Sequence, residues 1–164
     1  MILIALGANL PFHGVPPAQT LRSALATLND KGVQSAIVSH FYESPAWPDP
    51  SDPSFINAVA AVETPLDPAE LIRVLHEIEF MFGRVRGKPN APRTLDIDLL
   101  DYNGRVEPGP PELPHPRISG RGFVLVPLAE IAPHWRHPVS QKTASELLSE
   151  LTPAERSLRR VDSA

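Results

Sequence analysis

Apolar residues in this chain recur at two spacings, and the alternation between them sketches an order of elements. Met1 to Leu6 is a short apolar run closed by Gly7, the pattern of a buried strand. Leu21, Leu25 and Leu28, with Ala24 between them, repeat at helical spacing and stop near Asn29-Asp30-Lys31-Gly32. Val33 to Tyr42 and Phe55 to Thr64 are rich in β-branched and aromatic residues and read as two strands joined by a proline-rich loop. Asp67-Pro68-Ala69-Glu70 combines an N-cap, a proline at the first helical position and a reciprocal glutamate. Leu71, Val74, Leu75, Ile78 and Phe82 then form a buried stripe that Gly83 ends. Leu95 to Tyr102 is a strand turned by Asn103-Gly104, and Gly122 to Ile131 and Thr143 to Leu151 are further short elements. The order β-α-β-β-α-β predicts an α+β, ferredoxin-like (split βαβ) fold: a mostly antiparallel sheet with helices packed on it, in three α/β/α layers.

Composition narrows the function classes. The 164 residues have the length of a single domain, taken as 1–164. Nineteen acidic against fifteen basic residues give a net charge of −4 with no Lys/Arg stripe, so no nucleic-acid partner is expected. The chain has no cysteine, which removes thiol catalysis, disulfides and thiolate metal sites. No apolar run approaches the length of a membrane span, and "MILIALGANL" lacks a basic leader and a small-residue cleavage site; no membrane partner and a cytoplasmic location are expected. The twenty prolines cluster at 45–53 ("PAWPDPSDP") and 108–116 ("PGPPELPHP"), between apolar segments, and so predict ordered, stiff loops.

Candidate chemistry concentrates in "NAPRTLDIDLLDY", residues 90–102. Along a strand Leu95, Ile97 and Leu99 share the buried face, while Asp96 and Asp98 project together from the other, their Cα atoms ~6.7 Å apart. A solvated polar face would tolerate that, because the repulsion is under ~1 kcal/mol in water. Arg84, Arg86 and Arg93 lie within fifteen residues of the pair. Surface ion pairing accounts for one of them; three guanidinium forks beside paired carboxylates suit a polyphosphate with bound magnesium. No G-x-x-x-x-G-K-[ST] motif accompanies them, so a P-loop kinase is not expected. His134 and His137 have no third ligand in view and read as surface residues, as do Lys31 and the Arg159-Arg160 pair.

"GANL" at 7–10, "FINAV" at 55–59, "GRVR" at 83–86, "PRTLDIDLL" at 92–100 and "RGFVLVPL" at 121–128 resemble the 6-hydroxymethyl-7,8-dihydropterin pyrophosphokinase family of folate synthesis. The resemblance runs from residue 2 to about 133. It implies transfer of the terminal pyrophosphate of ATP to the hydroxymethyl group of 6-hydroxymethyl-7,8-dihydropterin, releasing AMP; separately, a monomer is expected. It assigns Asp96 and Asp98 to two Mg²⁺ ions bound with the triphosphate, and Arg84, Arg93 and the adjacent Arg86 to phosphate. Asn57 is implied to bond the pterin edge, Phe55 and Phe123 to sandwich the ring, and Ser44, Pro45 and Trp47 to complete the pocket. His115 and Arg121 fall at nucleotide-side contacts, as do Ile72, His76 and Glu79 along one flank of the capped helix. Two departures stand out. Lys88-Pro89-Asn90-Ala91-Pro92-Arg93 lacks the family's tryptophan and is one residue shorter, altering the loop that closes over substrates, and Pro116 replaces an aromatic residue. Two alternatives accompany this reading: a relative that binds pterin or nucleotide but turns over poorly, and a ferredoxin-like regulatory or RNA-binding module. The latter lacks the basic, glycine-bracketed aromatic motif such sheets use.

Overall fold

A computed structural model of the chain describes residues 1–46, 49–84 and 92–161. In chain order the elements are β1 (Ile2–Ala8), α1 (Pro17–Asp30), β2 (Gln34–Val38), β3 (Phe41–Ser44), β4 (Phe55–Glu63) and α2 (Pro68–Met81). They continue with β5 (Asp96–Tyr102), α3 (Gly122–Ile131), α4 (Ala144–Ser149), α5 (Pro153–Arg156) and β6 (Arg159–Val161). The sheet runs β5-β1-β4-β3-β6, with β2 also paired to β4, and these pairings are antiparallel. β4 is inserted between β1 and the β2/β3 segment, and β1 between β4 and β5. That is the double split-βαβ topology of a ferredoxin-like fold.

Side-chain alternation along the strands feeds two cores. Ile2, Ile4 and Leu6 of β1, Ala58, Ala60 and Val62 of β4, and Ile97 and Leu99 of β5 pack against Leu21 and Leu28 of α1 and Leu71, Leu75 and Ile78 of α2. Leu3, Val59, Ala61 and Leu100 face the other way and meet Val124, Leu125 and Leu128 of α3 and Leu147 of α4. The sheet is thus covered on both faces, which makes the three layers. Between Leu3 and Ile4 the β1–β5 register shifts, and the resulting bulge turns Leu100 and Asp101 toward the second core. No helix among the described residues is long and apolar enough to cross a membrane.

Capping chemistry sets the helix starts. At α2 the Asp67 side chain accepts the Glu70 N–H at 2.8 Å and Glu70 Oε2 accepts the Asp67 N–H at 3.0 Å, closing the capping box around Pro68. Thr143 and Glu146 form a second box at α4. The run from Val33 to Tyr42, expected as one strand, is two: Ser39 Oγ takes the place of a ladder carbonyl by accepting the Val59 N–H at 3.0 Å, and the His40 N–H turns to the Glu130 carboxylate. Arg159 and Arg160, read as solvated charge, lie in β6 along β3, where Arg159 Nη2 bonds Glu43 Oε2 at 2.6 Å. His137 organises its own loop by accepting the Val139 and Ser140 N–H groups, both at 3.2 Å.

Candidate active site

The alternation that buries Ile97 and Leu99 leaves Asp96 and Asp98 on the opposite face of β5, at the end of the sheet where β1 finishes and β4 begins. Asp96 Oδ1 accepts from Arg84 Nη1 at 2.5 Å, and its Oδ2 lies 3.3 Å from Arg93 Nη1. The same Arg84 nitrogen donates to Glu79 Oε2 at 2.5 Å, and that oxygen also accepts the Ile97 N–H at 2.8 Å.

Local backbone geometry explains how Arg84 arrives there. Gly83 sits at φ +80° as the residue after the α2 C-cap; its N–H bonds Phe80 O at 3.0 Å and the Arg84 N–H bonds Glu79 O at 3.1 Å. This pair of bonds is the Schellman closure, which needs a left-handed residue at position 83. A Cβ there would also lie 2.5 Å from the Phe12 ring. The closure sets Arg84 beside Glu79, whose side chain is only 4 % exposed. Glu79 therefore faces inward and holds Arg84 and the start of β5. Its expected place along the nucleotide-bordering flank rested on helical spacing, which sets direction around the axis and not what lies there. Burial pushes the Glu79 carboxyl up, against the pull of the Ile97 N–H and the Arg84 guanidinium.

Asp98 stands differently. Burial, then repulsion from Asp96, pushes its carboxyl up to about 6, although Arg121, Arg84 and Arg93 oppose the shift. His115 Nε2 lies 4.0 Å from Asp98 Oδ2. The His115 Nδ1 accepts the Arg117 N–H at 3.1 Å, so in the neutral ring the proton sits on Nε2, toward Asp98. Burial, with Arg121 and Arg117, pushes His115 down to about 4, and a neutral imidazole leaves the Asp98 charge uncompensated. Its own N–H anchors the loop to Leu100 O at 2.8 Å.

One cross-strand row connects these acids to the candidate pterin residues. Tyr42 pairs with Asn57, Asn57 with Gly7, and Gly7 with Asp96, so Asn57 and Asp96 share a face two strand spacings apart, about 9.5 Å. Gly7 contributes no side chain between them. A Cβ there would lie 3.1 Å from Asn57 Oδ1 and 3.9 Å from the Phe55 ring, so the glycine keeps a hollow open on the sheet. Asn57 is buried and its Nδ2 donates to Ser44 Oγ at 2.8 Å, fixing the amide's orientation. Phe55 pairs with Ser44 at the mouth of this row, half-buried, while Pro45 is exposed. Phe123 is exposed at the start of α3, with the Arg121 guanidinium 5.1 Å from its ring centre. Ile72 packs at the margin of the first core and His76 is exposed one turn on. Trp47 and Arg86, and the shortened loop apart from Pro92 and Arg93, lie outside the described residues.

Asn9 and Asp101 are buried polar residues with no role assigned from the sequence. Asn9, within the "GANL" run, binds both the Arg93 N–H and Pro53 O. Asp101 accepts from Trp135 Nε1 at 2.8 Å and from the Gly104 N–H at 3.1 Å, a structural duty at the far end of β5. Among the described residues no group of three or more His, Cys, Asp or Glu side chains is placed to hold a metal. The donor set at β5 is two carboxylates, which suits magnesium because that ion takes one or two carboxylates and fills its octahedron with phosphate oxygens and water. Burial first, and Asp96 second, make an ionised Asp98 costly without a counter-charge, which a divalent cation would supply.

Comparison with known proteins identifies the family. Residues 3–133 match the model of the 7,8-dihydro-6-hydroxymethylpterin-pyrophosphokinase (HPPK) family. A 2-amino-4-hydroxy-6-hydroxymethyldihydropteridine pyrophosphokinase of Synechocystis sp. is 39% identical over 151 residues, covering 91% of this chain and 75% of that one. One of the same name from Methylorubrum extorquens is 37% identical over 152 residues, covering 92% and 93%. The crystal structure of Plasmodium falciparum HPPK-DHPS superposes with a TM-score of 0.66 at 15% identity, covering 89% of this chain and 43% of that one, and shares the fold. A family match across most of the chain, together with relatives of this similarity over nearly its full length, places the chain in the HPPK family.

Proposed function

We propose that Asp96 and Asp98 are the residues through which this chain handles the metal-bound triphosphate of its nucleotide. The chain transfers pyrophosphate from ATP to 6-hydroxymethyl-7,8-dihydropterin in folate synthesis. In that reaction the hydroxymethyl oxygen bonds to the β-phosphorus, the bond from that phosphorus to the α–β bridging oxygen breaks, AMP leaves, and the hydroxyl proton passes to solvent.

The observation that carries the site assignment is the pairing of Asp96 with Asp98 on one face of β5, with Arg84 and Arg93 both on Asp96. Magnesium held by this pair supplies charge neutralisation on the triphosphate oxygens. Arg84 and Arg93 each reach Asp96 through one guanidinium nitrogen, and a phosphate offers the same oxygen-acceptor chemistry, so an arriving triphosphate exchanges one acceptor for another. Arg121 and the neutral His115 border Asp98 and serve the nucleotide side.

Asn57 orients the second substrate. With one N–H spent on Ser44, its amide keeps Oδ1 and a second N–H for the paired donor and acceptor of a pterin edge. Phe55 and Phe123 offer ring faces on which a flat heteroaromatic stacks, and Ser44 and Pro45 close the pocket. The attacking oxygen then meets the β-phosphorus over Gly7, between the ring held at Asn57 and the charge held at Asp96. Positioning of this kind does most of the work in phosphoryl transfer.

Incubation with ATP, Mg²⁺ and hydroxymethyl-dihydropterin, followed by separation of the nucleotides, is expected to yield AMP and pterin diphosphate in equal amounts. ADP as the nucleotide product overturns the reading.

A further inference from the structure

Asn9 follows β1 by one residue and is 2 % exposed. Its side-chain amide has both ends committed across long sequence separations: Oδ1 accepts the Arg93 N–H at 2.8 Å, and Nδ2 donates to Pro53 O at 3.0 Å. The grip on Arg93 is completed by the backbone, where the Asn9 and Leu10 N–H groups donate to Arg93 O at 3.1 and 3.2 Å. Both polar groups of the Arg93 backbone are thus fastened to the end of β1, three residues before Asp96. Pro53 precedes Phe55 by two residues on the other side of the site.

We propose that Asn9 is a positioning residue that sets Arg93 on the phosphate side and Phe55 on the pterin side in fixed relation to each other. The proposal rests on the functional reading above. The physical argument is one of chemistry and reach. A buried site that needs one acceptor and one donor at the end of a two-carbon stem is met by asparagine; aspartate supplies only the acceptor, and alanine neither. Because the two bonds point to segments that carry the two substrates' residues, losing either one alters a different substrate's contacts.

Three variants test this. In Asn9→Asp the acceptor for the Arg93 N–H persists while a carboxylate lone pair faces the Pro53 carbonyl; the KM for pterin is expected to rise at least about fivefold, with the KM for ATP and kcat within about twofold. In Asn9→Ala both bonds go, and kcat is expected to fall about 30- to 100-fold, the scale of an ångström-sized misplacement. If Asn9 acts through Arg93, the double variant Asn9→Ala/Arg93→Ala has a kcat within about threefold of Arg93→Ala alone. Unchanged kcat and KM values in folded Asn9→Ala, with only a lowered Tm, overturn the proposal, and so do losses that multiply independently in the double variant. Should Asn9→Ala fail to fold, Asn9→Asp decides alone: unchanged KM values for both substrates overturn it. Wild-type protein that forms no AMP would instead sink the functional reading, so the two failures are distinguishable.

Discussion

Asp98→Asn is expected to abolish turnover, by at least about a thousandfold, while leaving the protein folded and slightly more stable. The stability part follows from the sign of the carboxyl's shift. Its folded value, about 6, lies above the ordinary 3.8. The protonated form is thus favoured by folding, and that stability is fully present below the ordinary value and lost as pH rises through about 6. At neutral pH the ionised Asp98 is a burden that asparagine removes. With 38 % of the side chain exposed, solvent screening limits the gain to about 1 kcal/mol, or about 2–4 °C in Tm. Activity is expected to run the other way, because the charge that strains the fold is the one proposed to attract a divalent cation. Wild-type turnover is expected to fall as pH drops through about 6, and added Mg²⁺ moves that limb lower by competing with the proton. Asp96→Ala loses turnover to a similar degree without the gain in Tm, since it strips Arg84 and Arg93 of a partner. Thermal melts and steady-state pH profiles check both parts. An unfolded Asp98→Asn, or one with turnover near wild type, contradicts the assignment.

Glu79→Ala is expected to produce the largest loss of stability, about 3 kcal/mol, seen as a lowered urea midpoint. Its carboxylate is nearly sealed from solvent, pairs with Arg84 at 2.5 Å and caps the Ile97 N–H at 2.8 Å, so its removal leaves a buried donor unmet and a guanidinium half-partnered. Glu79→Gln keeps an acceptor for the Ile97 N–H and is expected to lose less than half as much. In both variants kcat falls more than the KM for pterin, because Arg84 is displaced while Asn57 and Ser44 are untouched. A Glu79→Ala protein with a wild-type urea midpoint would show that the buried pair does not hold this corner together.

How much of this was readable in advance differs from element to element for physical reasons. α2 was legible to its ends because its stop and start are local: a capping box within four residues and a glycine whose positive φ closes the last turn. The facing of Asp96 and Asp98 was legible because strand alternation is a property of the backbone alone. The break between β2 and β3 was not, because it depends on Ser39 and His40 finding Val59 and Glu130, partners twenty and ninety residues distant. β6 was hidden for a similar reason: its two arginines carry no strand signal, and pairing to β3 and to Glu43 holds them. Within the site, Gly7 and Asn9 were visible as letters of a motif, but what they do depends on strand register and on loops brought in from residues 53 and 93. Only the pairing Asn57–Gly7–Asp96 shows that this glycine is the open floor between Asn57 and Asp96.

A manganese titration followed by electron paramagnetic resonance, with protein in excess over a non-hydrolysable ATP analogue, tests the acidic pair itself. Wild-type protein is expected to hold two Mn²⁺ ions per bound nucleotide, and Asp96→Ala and Asp98→Ala each to lose at least one of them while keeping a folded spectrum by circular dichroism. Identical Mn²⁺ stoichiometry and affinity in all three proteins would contradict the assignment of the cations to β5.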